Sequence, residues 1–206
     1  MQLENLEKKQ VNLGQFAARA LADFERKVGA IPSSLFLAKK LVRPLPIENA
    51  RRVVELGAGK GMITQLLLNR MPADSRLIAI EIDSGLAEHL RSRFSDPRLE
   101  VINACAGSAY EELHRRGWER VDVAVASVAF GFLTESKAHE IFSAVKPFLD
   151  EESIFTLYQY AHRVKMLEGR FSYFDISRLL DQHFPKIERR AFWPNFPPAF
   201  IFDCRI

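Results

Sequence analysis

The 206 residues match the size of one α/β domain, able to bury roughly 70% of the surface its unfolded chain exposes without disulfide or metal staples. Cys105 and Cys204 are too few for a disulfide framework and are expected as reduced thiols; with no N-terminal apolar h-region and no run of about 18 apolar residues, neither a secretory signal nor a membrane-spanning helix is predicted, and the chain is expected in the cytoplasm. The net charge of +3 is unevenly spread: residues 1–52 hold ten Lys/Arg against five Asp/Glu, so the basic excess sits wholly in the N-terminal quarter, where an anionic partner is expected.

In chain order, Leu13, Phe16, Ala17, Ala20, Leu21, Phe24 and Val28 fall at spacings of three and four, one apolar stripe of a helix that Gly29 is placed to end. Arg19, Arg26 and Lys27 lie off the stripe. Such a helix either packs on the domain core or lies in a membrane interface, with Phe16 and Phe24 inserted and Arg19, Arg26 and Lys27 on lipid phosphates. In "GAIPSSLFLAKKLVRPLP", which follows, Ile31 must be extended before Pro32, Ser33 or Ser34 can cap a short helix, and Pro44 stops it.

The stretch "VVELGAGKGMITQLLL" sets Glu55 and then Gly57, Gly59 and Gly61 against the start of a helical pattern. Alternate glycines let the backbone turn sharply from strand into helix and admit a ligand close to the main chain. Met62 stands where a dinucleotide fingerprint wants its third glycine, and the spacing of a P-loop is absent. An acidic residue at the strand end repels a pyrophosphate and points to a ligand with positive charge. Twenty residues beyond Gly61, "RLIAIEID" is predicted as a buried strand ending in Glu81, placed for ribose hydroxyls as in other nucleoside-binding βαβ units.

Strands are predicted at 51–56, 76–81, 99–103, 121–127, 152–160, 187–193 and 199–205, alternating with helices near 60–70, 84–94, 108–116, 134–146 and 172–183. This is the rhythm of a doubly wound, seven-stranded, mainly parallel sheet closed by a hairpin-like pair. Ligands of such sheets bind beyond the carboxyl ends of the strands, so residues 55–61, 81–83, 103–106 and 126–130 should converge, bringing Ala58, Ile82 and Ala106 to the ligand. The histidines at 89, 114, 139 and 183 have no ligand-like spacing, and no metal is expected.

Glu55 to Gly61 resembles motif I of the class I methyltransferases, which implies a Rossmann-like fold and S-adenosyl-L-methionine as cofactor, with S-adenosyl-L-homocysteine as product. "GAIPSSLFLAKKLV" is similar to the segment before motif I in bacterial phospholipid N-methyltransferases, and "FWPNFPPAF" resembles that family's C-terminal Trp-x-Asn-x-Pro-Pro-Ala element, matched by Trp193, Asn195, Pro197, Pro198 and Ala199. The resemblance implies methylation of phosphatidylethanolamine towards phosphatidylcholine by a protein held peripherally at the inner face of the cytoplasmic membrane. In the related rRNA adenine dimethyltransferases the segment before motif I folds over the cofactor, making Ile31, Ser33 and Ser34 candidate lid contacts. The chain then divides into 1–48, amphipathic and lid helices, and 49–206, the catalytic domain. Two departures stand out: Cys105 occupies the place of the family's adenine-binding Asp, and "VASVAF" replaces both the Asn-x-Pro-Tyr of adenine-modifying relatives and the Ser-Gly-Leu-Pro of the lipid enzymes.

A thiol is a poor acceptor, so adenine would be held by backbone near Cys105 and Ala106 or by another side chain. Ser127 is assigned to the lining of the methyl-transfer pocket. Methyl transfer to an amine needs a neutral, oriented nucleophile; "TLYQYAH" offers Tyr158, Tyr160 and His162 on one strand face, with His162 as proton acceptor, the tyrosines and Trp193 around an alkylated ammonium, and Asn195 of the C-terminal element as a further candidate. Two rivals are an RNA adenine methyltransferase, disfavoured by "SVAF", and a non-catalytic membrane-surface protein, motivated by Cys105. No nucleic-acid partner is expected.

Overall fold

The computed structural model describes residues 32–160, 164–167, 170–173, 175–193 and 198–206. Seven strands form one sheet: β1 (Arg52–Leu56), β2 (Arg76–Glu81), β3 (Leu99–Asn103), β4 (Val123–Ala126), β5 (Ile154–Tyr160), β8 (Lys186–Phe192) and β9 (Ala199–Arg205), in the spatial order β3-β2-β1-β4-β5-β9-β8. The first five run parallel, while β9 lies antiparallel between β5 and β8. Strand order reverses between β1 and β4, so the crevice for a ligand opens above their carboxyl ends.

β1 and β2 are buried on both faces from their second residue onward, which is why their sequences run almost continuously apolar. Helices α1 (Pro32–Val42), α2 (Met62–Leu68) and α3 (Ser84–Arg93) cover the face that carries Val53, Leu77 and Ala79. Helices α4 (Ala109–Arg115), α5 (Glu135–Val145) and α6 (Ile176–His183) cover the other, around Val54, Leu56, Ile78 and Phe155. Three helices start on side-chain caps that accept a free backbone N–H: Asp83 from Leu86 at 2.9 Å, Thr134 from Lys137 at 3.3 Å and Asp175 from Ser177 at 3.0 Å.

The expected architecture is present, with local differences. The strand expected at 152 begins at Ile154 because a turn holds its approach, the Ser153 hydroxyl donating to Asp150 Oδ1 and to the carbonyl of Val121. The helix expected from 172 begins at Ile176, after the Asp175 cap. Ahead of it, β6 (Val164–Leu167) and β7 (Arg170–Tyr173) make a separate antiparallel pair that was not anticipated. Among the described residues no helix is long and apolar enough to cross a membrane. Phe16, Arg19, Phe24, Arg26, Lys27, Ile31, His162 and Asn195 lie outside the described residues; Ser33 and Ser34 fall in the first turn of α1.

Candidate functional site

The site is built where the four strand ends of the crevice meet. β1 leaves the sheet through Gly57, Gly59 and Gly61, all with positive φ (77°, 55° and 81°), and enters α2 directly. A Cβ on Gly61 would lie 2.5 Å from Phe94 Cε2 and 2.6 Å from Leu90 Cδ2, so this glycine lets the turn pack on α3. Gly59 is the opposite case: among the described residues nothing lies within 4 Å of the place where its Cβ would be, which leaves an open cradle on the ligand side of the turn.

Hydrogen bonds tie the neighbouring strand ends to this turn. The N–H of Gly57 donates to the carbonyl of Ile80 at 2.8 Å, and the N–H of Gly59 donates to Glu81 Oε2 at 2.7 Å. Glu81 Oε1 accepts from the N–H of Asp83 at 2.9 Å, so each carboxylate oxygen keeps capacity for a further donor. Asn103 Nδ2 donates to the carbonyls of Glu81 and Ile82 at 2.8 and 3.1 Å, fixing the β2–β3 corner. From β4, Ser127 Oγ donates to the carbonyl of Gly57 at 2.5 Å. Residues 55–61, 81–83, 103–106 and 126–130 are thus brought together at one edge.

Glu55 takes a position the sequence did not indicate. Its place in the pleat turns it to the α2 side, where it is fully buried under the turn and accepts from Thr64 Oγ1 at 2.6 Å. Its other oxygen, Oε1, has no hydrogen-bond partner among the described residues. Burial, with a smaller contribution from the nearby Glu81 charge, pushes the Glu55 carboxyl up to about 8, against the opposing Thr64 hydrogen bond. Glu55 therefore lies beneath the turn rather than lining the mouth, and Thr64 is the side chain that holds it. The Glu55–Thr64 spacing of nine residues, a strand end against the first turn of the next helix, was the available signal.

The corner where the resemblance expects adenine has an apolar shelf and a charged neighbour. Ile82 is 49% exposed beside Glu81, and Ala106 is buried behind the half-buried Cys105. Glu140 on α5, paired with Lys137 at 2.6 Å, lies so close to Gly107 that a Cβ there would clash with its carboxylate. It brings a carboxylate to this corner from an element further along the chain. An open glycine cradle, a carboxylate with spare acceptor capacity, an exposed apolar shelf and a buried, half-partnered acid beneath form a donor set that suits a cationic nucleoside without phosphate.

Tyr158 and Tyr160 stand half-buried on one face of β5, their rings edge-to-face at 5.6 Å, and pack against the cluster that contains α1. Trp193 is 68% exposed at the end of β8 and meets Phe200, which packs on the cluster across the sheet. The structure therefore does not stack Trp193 with the tyrosines. Two cavities of about 520 and 510 Å³ both open at the amino edge of the sheet, the first between Leu45, Ile154, Lys186 and Arg205, the second between Arg76, Leu99 and Trp118. Neither touches the glycine turn, which is a groove rather than an enclosed pocket.

Comparison with known proteins bears on this geometry. The chain is 31% identical to the ornithine lipid N-methyltransferase of Singulisphaera acidiphila over 84% of its own length and 85% of that protein. The family model for ribosomal RNA adenine dimethylase matches residues 33–106. The ribosomal RNA small subunit methyltransferase A of Acidobacterium capsulatum is 53% identical, but over only 28% of this chain and 19% of that one. Among solved structures, the 1,6-didemethyltoxoflavin-N1-methyltransferase of Burkholderia thailandensis, with bound S-adenosylhomocysteine, superposes with a TM-score of 0.67 at 16% identity, covering 97% of this chain and 88% of that one. The glycopeptide N-methyltransferase MtfA complexed with S-adenosyl-L-methionine gives 0.60 at 15% identity, covering 82% and 92%.

Proposed function

The chain belongs to the class I S-adenosylmethionine-dependent methyltransferases, in the family of the ornithine lipid N-methyltransferase, and we propose that it methylates the amine of a lipid headgroup at a membrane surface. The cofactor is S-adenosyl-L-methionine, and S-adenosyl-L-homocysteine is the product. When bound, the cofactor supplies an electrophilic methyl group on a sulfonium. The residues at the glycine turn fit it: Glu81 has acceptor capacity for ribose hydroxyls, Gly59 leaves room for close approach, Ile82 would offer apolar surface to the adenine with Ala106 buried behind the half-buried Cys105, and Glu55 would lie under the cationic end.

Direct displacement at a methyl group needs a neutral amine with its lone pair aimed along the axis, so the chain's work is to orient the amine, exclude water and remove a proton. In this reading Tyr158 and Tyr160 hold the alkylated ammonium by cation–π attraction, Ser127 lines the path, and His162, two residues past Tyr160, accepts the proton. Asn195 shapes the headgroup side, and Ile31, Ser33 and Ser34 close over the cofactor. The substrate is phosphatidylethanolamine with its partly methylated forms, and the partner surface is the anionic, cytoplasmic face of the membrane, approached by the basic N-terminal quarter.

One observation carries the lipid reading over the RNA one. Similarity to the lipid enzyme runs through most of both chains, whereas the family model named for RNA dimethylation ends at residue 106, inside the cofactor half. The test is transfer of radiolabelled methyl from S-adenosylmethionine to mixed vesicles containing phosphatidylethanolamine, with an ornithine lipid and structured ribosomal RNA as parallel acceptors. Label in phosphatidylethanolamine is the expected result. Label in the ornithine lipid alone corrects the headgroup, and label in RNA alone overturns the reading.

A further inference from the structure

Helix α1 has two distinct sides. Leu37, Ala38, Leu41 and Val42 are buried against the sheet, with Leu45 continuing the row. Leu35, Phe36, Lys39, Lys40 and Arg43 all face outward, as their spacing of four requires. Phe36 is 61% exposed and Leu35 41%, large apolar side chains turned to solvent at adjacent positions. The helix sequence PSSLFLAKKLV contains no acid, so this outer side carries three cations and no compensating charge of its own.

The two chemistries are segregated along the helix. Its C-terminal end is held at the amino edge of the sheet, where Pro44 and Leu45 meet Ile154, Lys186 and Arg205. Further up β8, Arg190 Nη1 donates to the carbonyl of Lys40 at 3.4 Å. From Lys40 back to Leu35 the helix rises about 7 Å more towards the carboxyl edge. Leu35 and Phe36 therefore sit at the end of α1 nearest the mouth of the cofactor groove, and the cations follow behind them.

We propose that the outer side of α1 docks on an anionic lipid bilayer, with Phe36 and Leu35 entering the headgroup–acyl boundary and Lys39, Lys40 and Arg43 on lipid phosphates. An RNA backbone would engage the cations but would give Leu35 and Phe36 nothing in which to be buried; a bilayer serves both, as for helices that lie in the interface plane. The proposal deepens the lipid-amine reading and rests on it, since docking through this end turns the groove towards the headgroup layer that would supply the amine.

The experiment uses the full chain with vesicles of phosphatidylcholine containing or lacking phosphatidylglycerol. Lys39→Ala, Lys40→Ala and Arg43→Ala together should weaken sedimentation with the anionic vesicles by about a hundredfold, at roughly fivefold for each cation near the surface. Phe36→Ser should weaken it severalfold, and the indole introduced by Phe36→Trp should gain fluorescence that brominated acyl chains quench. Cofactor affinity, and methyl transfer to the same amine lipid dispersed in detergent, should be unchanged in the triple variant. Vesicle binding by the triple variant within twofold of the parent, together with an unquenched indole in Phe36→Trp, overturns the docking surface. So does an introduced indole already shielded before vesicles are added, which would place the rest of the chain over α1. If the parent docks as described but methylates no lipid in vesicles or detergent, the docking surface stands and the lipid-amine reading fails.

Discussion

Gly59 and Gly61 stand two residues apart in the same turn, yet alanine at each should do different damage. At Gly61, alanine would have to hold a φ of 81°, which costs an L-residue about 1–2 kcal/mol. Its Cβ would also lie 2.5 Å from Phe94 and 2.6 Å from Leu90, closer than real Cβ contacts come, so α3 has to shift, at a further ~1–3 kcal/mol for overpacking. The sum, about 2–5 kcal/mol, is a large share of the stability of an ordinary domain and lowers Tm by roughly 5–15 °C at this chain length. Gly59→Ala carries the conformational cost alone, about 1–2 kcal/mol, because nothing among the described residues lies within 4 Å of its Cβ; what it loses is the cradle, so cofactor affinity should fall while the fold survives. Urea unfolding followed by circular dichroism, with calorimetric titration of S-adenosylmethionine into both variants, separates the two effects. Equal destabilisation by both alanines, or a Gly61→Ala protein within about 2 °C of the parent, would refute this account of the turn.

Glu55 makes the cofactor-free protein less stable as pH rises. Its folded pKa of about 8 lies above the ordinary 4.5, so between those values the unfolded chain sheds a proton that the folded one keeps, and stability present below 4.5 is lost on the way to 8. Glu55→Gln should flatten that slope in unfolding free energies measured at pH 5, 6.5 and 8; an unchanged slope sinks the assignment. Because a cation above the turn favours the ionised carboxylate, cofactor binding near pH 7 should release protons in the parent and fewer in Glu55→Gln, read as the dependence of binding heat on buffer ionisation enthalpy. Thr64→Val, which removes the side-chain hydrogen bond to this buried acid, should cost about 1–3 kcal/mol, and Thr64→Ser should restore most of it. Finally, burial pushes the Cys204 thiol far up and leaves Cys105 half-covered at the adenine side, so a thiol reagent should label Cys105 alone in the native protein, more slowly with cofactor bound; prompt labelling of both thiols contradicts the fold.

How far the site was legible depended on the range of the interaction. The glycine turn is legible because its requirement is local: alternate residues that must take positive φ between an apolar strand and a helix leave a pattern in seven consecutive residues. Glu81 is legible for the same reason, as the acid that ends the next buried strand. Glu140 is not, since its approach to Gly107 is made by α5 packing beside α4 and the turn before it, and no spacing announces it. Trp193 and the tyrosines were grouped by chemistry alone, and the pairing of Trp193 with Phe200 separates them by a layer of sheet. The β6–β7 pair was missed because short segments joined by few residues carry little periodicity to recognise.

By itself the amino-acid order determined the doubly wound sheet, the binding turn at its first strand and the positive charge of the ligand, because backbone stereochemistry and the alternation of buried strands with amphipathic helices act on neighbours in the chain. Only the tertiary structure decided that Glu55 lies beneath the turn under the hold of Thr64. It also decided that α1 keeps a bare side of two apolar and three basic residues at the edge where the groove opens. Burial and exposure belong to the packed whole: a helix of apolar and basic residues has no outer face until the sheet has taken the inner one.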